Sequence, residues 1–325
     1  MAETIGHSKN HTFLIGKEST YGTAVSATKD VGLVQSPTFS DKKEIERIYG
    51  SGSRLPQELV SGLATLDFDF DVTYQNGRLF EYLLGSVSHA LTGSDTKHTF
   101  AFAETLPSFT TESSFNLTAD QVYLYEGCVL TSGAVSIDTG GVLSTRYSGR
   151  AKDVDTAGSS ASAAVISTLE TLHYKHLTLS TGVAASETDV GLLQSFSFTI
   201  NNENTEVRDA GQVTNADDLG GNMNMEFEFT IAFKTTAEYE RFSGAAASIS
   251  LSPTQFSMLI NANNGVSLGS GRREFEAQLD AINYSEVGTA VSIGDKVLQT
   301  FRGEATGLGS NGMFTVDNIA EASWS

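Results

Sequence analysis

Carboxylates two residues apart are the first candidates for chemistry in this chain: Asp67, Asp69 and Asp71 in one segment, Glu226 and Glu228 in another. Side chains at i and i+2 on one strand face lie about 7 Å apart, a separation compatible with two-carboxylate glycoside hydrolysis. That chemistry also needs a sugar-binding cleft with aromatic platforms, and the one tryptophan is Trp324 near the end of the sequence. His173 and His176 stand three apart, but no neighbouring Cys or carboxylate completes a metal-ligand set, and on a strand the two would face opposite sides as exposed histidines. Gly307-Leu308-Gly309-Ser310-Asn311-Gly312 satisfies the dinucleotide fingerprint G-x-G-x-x-G. The fingerprint requires a helix at its last glycine and a downstream acid, whereas Met313-Phe314-Thr315-Val316 reads as a strand, so the glycines predict a hairpin turn. Cys128 is the one cysteine; it can form no intrachain disulfide and reads as a buried thiol on a strand. With no G-x-S-x-G elbow and no H-E-x-x-H or C-x-x-C motif, the residues predict a protein that is not an enzyme and holds no cofactor or metal.

The elements that carry these acids are more informative. From Leu66 to Tyr74 apolar and polar residues alternate, which predicts a strand burying Leu66, Phe68, Phe70, Val72 and Tyr74 and turning Asp67, Asp69 and Asp71 to the other face. Met223 to Ile231 repeats the pattern, with Glu226 at the place of Asp67 and Glu228 at that of Asp69. In each case the period then changes: Arg78–Leu84 and Ala237–Phe242 read as short amphipathic helices, the second opened by the capping-type residues Thr235 and Thr236. Further strands are predicted at Leu33–Phe39, Gln121–Leu130, Val142–Tyr147, Leu192–Ile200, Phe256–Ile260, Phe275–Ile282 and Val297–Phe301.

The recurrence is wider than two strands. Residues 30–86 align without gaps on residues 189–245, at a constant offset of 159, with 14 identities in 57 positions. Asp30-Val31-Gly32-Leu33-Val34-Gln35-Ser36 falls on Asp189-Val190-Gly191-Leu192-Leu193-Gln194-Ser195. Such a period is one domain, not a solenoid unit. The expectation is two tandem copies of a mainly β domain, residues 1–159 and 160–325, joined near the small polar stretch Ala157–Ala164. Each copy would be a β-sandwich or open barrel with a short flanking helix. Between its first two strands each copy has a long charged excursion, Asp41–Val60 and Asn201–Leu219. Each is either a loop in solvent or, with Lys42, Glu44, Glu46, Arg47 and Arg54, and Glu203, Glu206, Arg208 and Asp217, an arm that reaches a neighbouring subunit.

Composition bounds the partners. Twenty Lys and Arg against 39 Asp and Glu give a formal net charge of −19 over 325 residues, which disfavours broad contact with nucleic-acid phosphates or anionic lipid. No apolar run is long enough for a membrane-spanning helix. The opening residues show no apolar segment behind a basic one, so synthesis in a cytoplasm without export is expected. A β-barrel porin would need an outward apolar band, where these strands carry acids.

The segment Ile15-Gly16-Lys17-Glu18-Ser19-Thr20-Tyr21-Gly22-Thr23-Ala24-Val25 resembles the amino-terminal G-x-E-S-T-Y-G-T-A pattern of the tail tube proteins of long-tailed bacteriophages and related viruses. The region Leu117–Ser136 with its Gly127-Cys128, and Phe196–Asn202, are similar to that family as well. The resemblance implies a tail-tube-type β-sandwich or open barrel whose inner strands close across subunits into a ring. Rings stack into the hollow tail tube, a major structural protein of the virion, made in the host cytoplasm. It further implies self-association, a tape-measure protein or double-stranded DNA in transit through the bore, and tail terminator and tail-tip proteins at the ends, with no catalytic residues and no membrane insertion. Two copies per chain would let three chains fill a pseudo-hexameric ring. Asp67, Asp69, Asp71, Glu226 and Glu228 would then line an acidic lumen through which DNA slides during ejection, and the arms would bridge adjacent rings. The alternatives are another virion ring or decoration protein, such as a tail terminator, baseplate or capsid decoration protein, or a carbohydrate-binding β-sandwich module.

Overall fold

The computed structural model describes residues 11–92, 95–115, 120–158, 170–210, 212, 214, 216–244, 255–268, 271–292 and 296–317. The first half contains β1 (His11–Lys17), β2 (Leu33–Ile48), β3 (Glu58–Thr73), α1 (Leu79–Leu84), β4 (Gly85–Thr92), β5 (Asp95–Phe102), β6 (Phe109–Phe115), β7 (Gln121–Asp138), β8 (Ser144–Ala151) and β9 (Asp153–Asp155). The second contains β10 (Leu177–Val183), β11 (Ser186–Asp189), β12 (Leu193–Asn202), β13 (Thr205–Val207), β14 (Asp217–Leu219), β15 (Met223–Ala232), α2 (Ala237–Ser243), β16 (Phe256–Leu268), β17 (Gly271–Ala290), β18 (Leu298–Ala305) and β19 (Leu308–Asp317). The fold is mainly β with antiparallel pairing, as the alternating patterns predict. Of the predicted joining stretch, residues 159–164 lie outside the described residues, as do Gly211 and Trp324.

Pairing follows one order in both halves. In the first it runs β1–β6–β7–β8–β3–β2; in the second, β10–β16–β17–β18–β15–β12. A bulge recurs at the same place, between Leu130 and Ser132 in β7 and between Tyr284 and Glu286 in β17. The halves are then sewn together: β7 pairs with β12 from Ser132↔Asn201 to Asp138↔Ser195, and β5 pairs with β19.

Burial follows the period-two pattern. Leu66, Phe68, Phe70, Val72 and Tyr74 are buried on β3 and its end, and Met225, Phe227, Phe229 and Ile231 on β15. Removing each such side chain from water stabilises by about 1.5–3 kcal/mol. The buried apolar residues form one cluster running from Phe13 to Phe301 through both halves, with ring contacts such as Phe70–Tyr147 at 5.8 Å and Phe229–Phe301 at 5.1 Å.

The helices depart from the amphipathic expectation in opposite ways. All six residues of α1 are buried: β4, β5 and β7 pack against it, Phe80 lies 5.7 Å from Phe100 and 6.2 Å from Tyr147, Tyr82 lies 4.6 Å from Phe109, and Phe275 of β17 adds contacts 5.9 Å from Phe80 and 5.5 Å from Tyr74. The corresponding residues 159 positions on, Tyr239 and Phe233, are 41% and 43% exposed, and among the described residues no equivalent of Phe275 covers α2. Both helices stop at a glycine in the left-handed region, Gly85 and Gly244, where a side chain would be strained. The expected hydroxyl cap on α2 is absent: Thr236 turns its Oγ1 to Glu240 Oε1 at 2.8 Å instead of to a backbone N–H.

Two further expectations are corrected. Asp41–Val60 is not a loop throughout: β2 and β3 continue into it as a paired ribbon to Ile48↔Glu58, closed by the loop of residues 49–57. His173 and His176 do not lie on a strand. They flank the single turn of 3-10 helix Tyr174–His176, where His176 Nδ1 accepts from the His173 N–H at 3.1 Å and His173 Nδ1 from the Lys175 N–H at 3.4 Å, so both rings cap a turn and are half-buried.

Candidate assembly surfaces

The acids singled out by sequence do share one sheet face, opposite the core, but they do not stand there as bare charge. Arg146 of β8, directly across from Asp71, bonds both carboxylate oxygens of Asp69 (2.9 and 3.0 Å from Nη2) and lies 3.9 Å from Asp71. Ser148 adds a 2.9 Å bond to Asp69, and Lys42 lies 3.2 Å from Asp67. In the second half Arg302 of β18 spans Glu228 at 2.5 Å and Glu286 at 3.0 Å. Hydrogen bonding to these carboxylates raises the pKa of both arginines. Exposed pairs of this kind contribute little to stability, so they set the charge pattern more than the stability. Sequence reading missed Arg146 and Arg302 because cross-strand neighbours are fixed by pairing order, which spacing along one strand does not reveal.

One position breaks the parallel. On β3 Asp67 faces Arg150; on β15 Glu226 faces Glu304. Like charges directly opposite are unfavourable, and among the described residues no cation lies against Glu304.

The second arm is seated within the chain. β13 and β14 pair as Thr205↔Leu219, Glu206↔Asp218 and Val207↔Asp217, which turns Glu206 and Asp218 to the face that meets Arg150. Arg150 Nε donates to Asp218 Oδ2 at 2.7 Å, Nη1 to Glu206 Oε1 at 3.2 Å and Nη2 to the Asn204 carbonyl at 2.6 Å. Asn204 Nδ2 donates to the Leu130 carbonyl at 3.3 Å and Arg208 Nη1 to that of Ala64 at 3.2 Å. The Asp218 side chain is 1% exposed; burial raises its pKa, with Arg150 pulling the other way. The charged residue turned inward is thus Asp218, while its neighbour Asp217 and Glu203 stay exposed. The recurrence could have signalled this, since strand alternation puts Asp218, not Asp217, on the face of Glu206.

Among the described residues the first arm has no such seat. Glu44, Glu46, Arg47 and Arg54 are exposed, and Ile45, Tyr49, Leu55 and Leu59 are 60%, 57%, 74% and 62% exposed. Two sheet edges are open as well. Among the described residues β2 pairs with β3 alone, and Asn283–Ala290 of β17 with β18 alone, whereas their counterparts β12 and the end of β7 pair with each other.

The Ile15–Val25 motif is a structural staple. Glu18, 6% exposed, accepts from Gly127 N at 2.8 Å and Thr110 Oγ1 at 2.8 Å through Oε1, and from Gly22 N at 3.0 Å and Ser108 Oγ at 2.6 Å through Oε2. It ties the segment after β1 to β6 and β7. Cys128 beside it is fully buried, and burial raises its thiol pKa.

The β architecture thus combines a charged sheet face, an exposed arm and, among the described residues, two strand edges without a partner. A family model described as phage tail tube protein matches residues 8–305, and the chain belongs to that family. It is therefore a structural tail tube protein, a component of the virion tail, and membership implies self-assembly into a tube. No curated protein matches the chain.

Proposed function

We propose that this chain builds the tail tube by repeating between chains the junction that its two halves make within one. The observation that carries this is the open pair of edges. The β7–β12 junction uses the end of the first half's β7 and the start of the second half's β12; the equivalent end of β17 and start of β2 have no partner among the described residues. Shifting the observed register by 159 for β12 to β2, and by 154 for β7 to β17, places Lys42 opposite Glu286, Ser40 opposite Gly288 and Thr38 opposite Ala290 of a second copy. The exposed Tyr239 and Phe233 lie where Phe80 and Tyr74 lie in the closed junction, on the side that a second copy would meet.

Read as two copies, residues 1–159 and 160–325, the chain offers one heterologous interface, and such an interface closes into a ring by rotation. Three chains supply six modules in a pseudo-hexameric ring. The sheet face carrying Asp67, Asp69, Asp71, Glu226 and Glu228 lines the bore, where acids in excess over the interleaved arginines let double-stranded DNA pass without adsorbing. The tip of the first arm, with Arg54 and Leu55, meets the next ring. A tape-measure protein fills the bore during assembly, and terminator and tip proteins close the ends. Negative-stain electron microscopy of the purified chain tests this: end-on averages should show hollow three-fold rings that look nearly six-fold. A chain that stays monomeric at high concentration with a tail-tip initiator present would refute it.

A further inference from the structure

The seat of the second arm has a counterpart with its charges exchanged. Within the chain Glu206 of the second arm meets Arg150 of the first half. Position 206 corresponds to Arg47, at the same offset of 159, and the correspondence holds in register: Glu206↔Asp218 matches Arg47↔Leu59, and Val207↔Asp217 matches Ile48↔Glu58. Position 150 corresponds to Glu304, since Phe68 and Asp67 face Gly149 and Arg150 as Phe227 and Glu226 face Gly303 and Glu304. An acid on the arm and a base on the sheet inside the chain thus become a base on the arm and an acid on the sheet at its two ends.

We propose that Arg47 on the first arm clasps Glu304 of a second copy of this chain, and that this reversed ion pair fixes the order of modules around the ring. The inference rests on the ring reading above. Three observations support it. Glu304 faces Glu226 on the neighbouring strand, a like-charge pair that an incoming guanidinium would neutralise. Arg47 and Glu304 are both exposed, and neither makes an ion pair among the described residues. The arm face that presents Arg47 also presents Ile45, Tyr49 and Leu59, 60%, 57% and 62% exposed, at the positions of Asn204, Arg208 and Asp218 on the seated arm. Apolar groups around one charge exclude water on docking and strengthen the pair.

The exchange also works against wrong contacts. A first arm reaching for the seat of the second arm would bring Arg47 against Arg150, and a second arm reaching across to another chain would bring Glu206 against Glu304. Both are repulsive, so each arm is confined to its own seat by charge as well as by fit. The modules then alternate around the ring, and strand exchange between arms is suppressed.

Charge reversal in the full chain tests the clasp. Arg47→Glu and Glu304→Arg should each raise the concentration needed for ring or tube formation, by about tenfold or more, and the double reversal should return it close to wild type. Both substitutions are at exposed positions, and Glu304→Arg removes the repulsion with Glu226, so circular dichroism and the melting temperature of unassembled protein should stay near wild type. Tubes formed by the single reversals at the wild-type concentration would overturn the clasp while leaving the ring reading intact, as would a double reversal no better than the singles. A wild-type chain that forms no rings would overturn both.

Discussion

Glu18 shows how a short motif can look like chemistry and be architecture. Its carboxylate accepts four hydrogen bonds in a site with 6% exposure, and bonds to a charged acceptor contribute about 1.5–3 kcal/mol each before the cost of burying the charge. Glu18→Gln keeps the shape, but turns an amide NH2 toward donors and leaves at least one of them unpaired. The expected loss is about 2–3 kcal/mol of unfolding free energy, read from urea titrations of unassembled protein; a change under about 0.5 kcal/mol would show that the network does not hold the segment after β1. The motif was visible in the sequence, but its partners were not, because Ser108, Thr110 and Gly127 lie 90, 92 and 109 residues away. Gly127 is also the residue whose backbone is tuned to the staple: its φ is +61°, and a Cβ there would come within 2.6 Å of Lys152 Cβ.

At the scale of elements, the two arms stand at corresponding places in the two halves and differ in structure. The second is broken into β13 and β14 and held down by Arg150; the first is a continuous ribbon whose tip, from Gly50 to Pro56, has no strand pairing. Replacing Gly50–Pro56 by Asn-Gly, a favoured two-residue hairpin turn, leaves Arg47 and the edge of β2 in place. Rings should still form while stacking fails, so electron micrographs should show single rings or short stacks; tubes of wild-type length would refute the role given to the tip. The core strands β3 and β15 were legible because one face is apolar and the other charged. The ribbon was not, because Lys42 to Arg47 offers no apolar alternation, and its strand character comes from pairing with residues about 12 to 25 positions away rather than from burial. The burial of α1 was equally hidden: its amphipathic pattern is that of α2, and what separates them is the packing of β4, β5 and β7, with Phe275, around α1, which spacing along the helix does not reveal.

For the whole molecule the proposed role raises the question of how a chain of net charge −19 would let DNA pass, which it should repel. Repulsion is what transit requires, provided that it is moderate: a uniformly acidic bore would oppose entry, and a basic one would hold phosphate through counterion release. The face proposed to line the bore lies between these limits, with Arg146 and Arg302 set among acids that bond them. The arginines make the acids more consequential than their number suggests. Substituting Asp67, Asp69 and Asp71 by Asn, and Glu226 and Glu228 by Gln, removes the acids and leaves Arg146 without its carboxylate partners on β3, while Arg302 keeps Glu286, so the lining loses its excess of acid and gains an unpaired guanidinium. The fold should survive, since these side chains lie opposite the core and their exposed pairs carry little stability. Virions bearing these five substitutions should assemble tubes of normal diameter and eject DNA slowly or incompletely at low salt, with ejection recovering as salt rises because each phosphate contact weakens with ionic strength. Ejection at the wild-type rate in low salt would place this face elsewhere than the bore. A slow rate that salt does not relieve would point to obstruction in the channel rather than to charge.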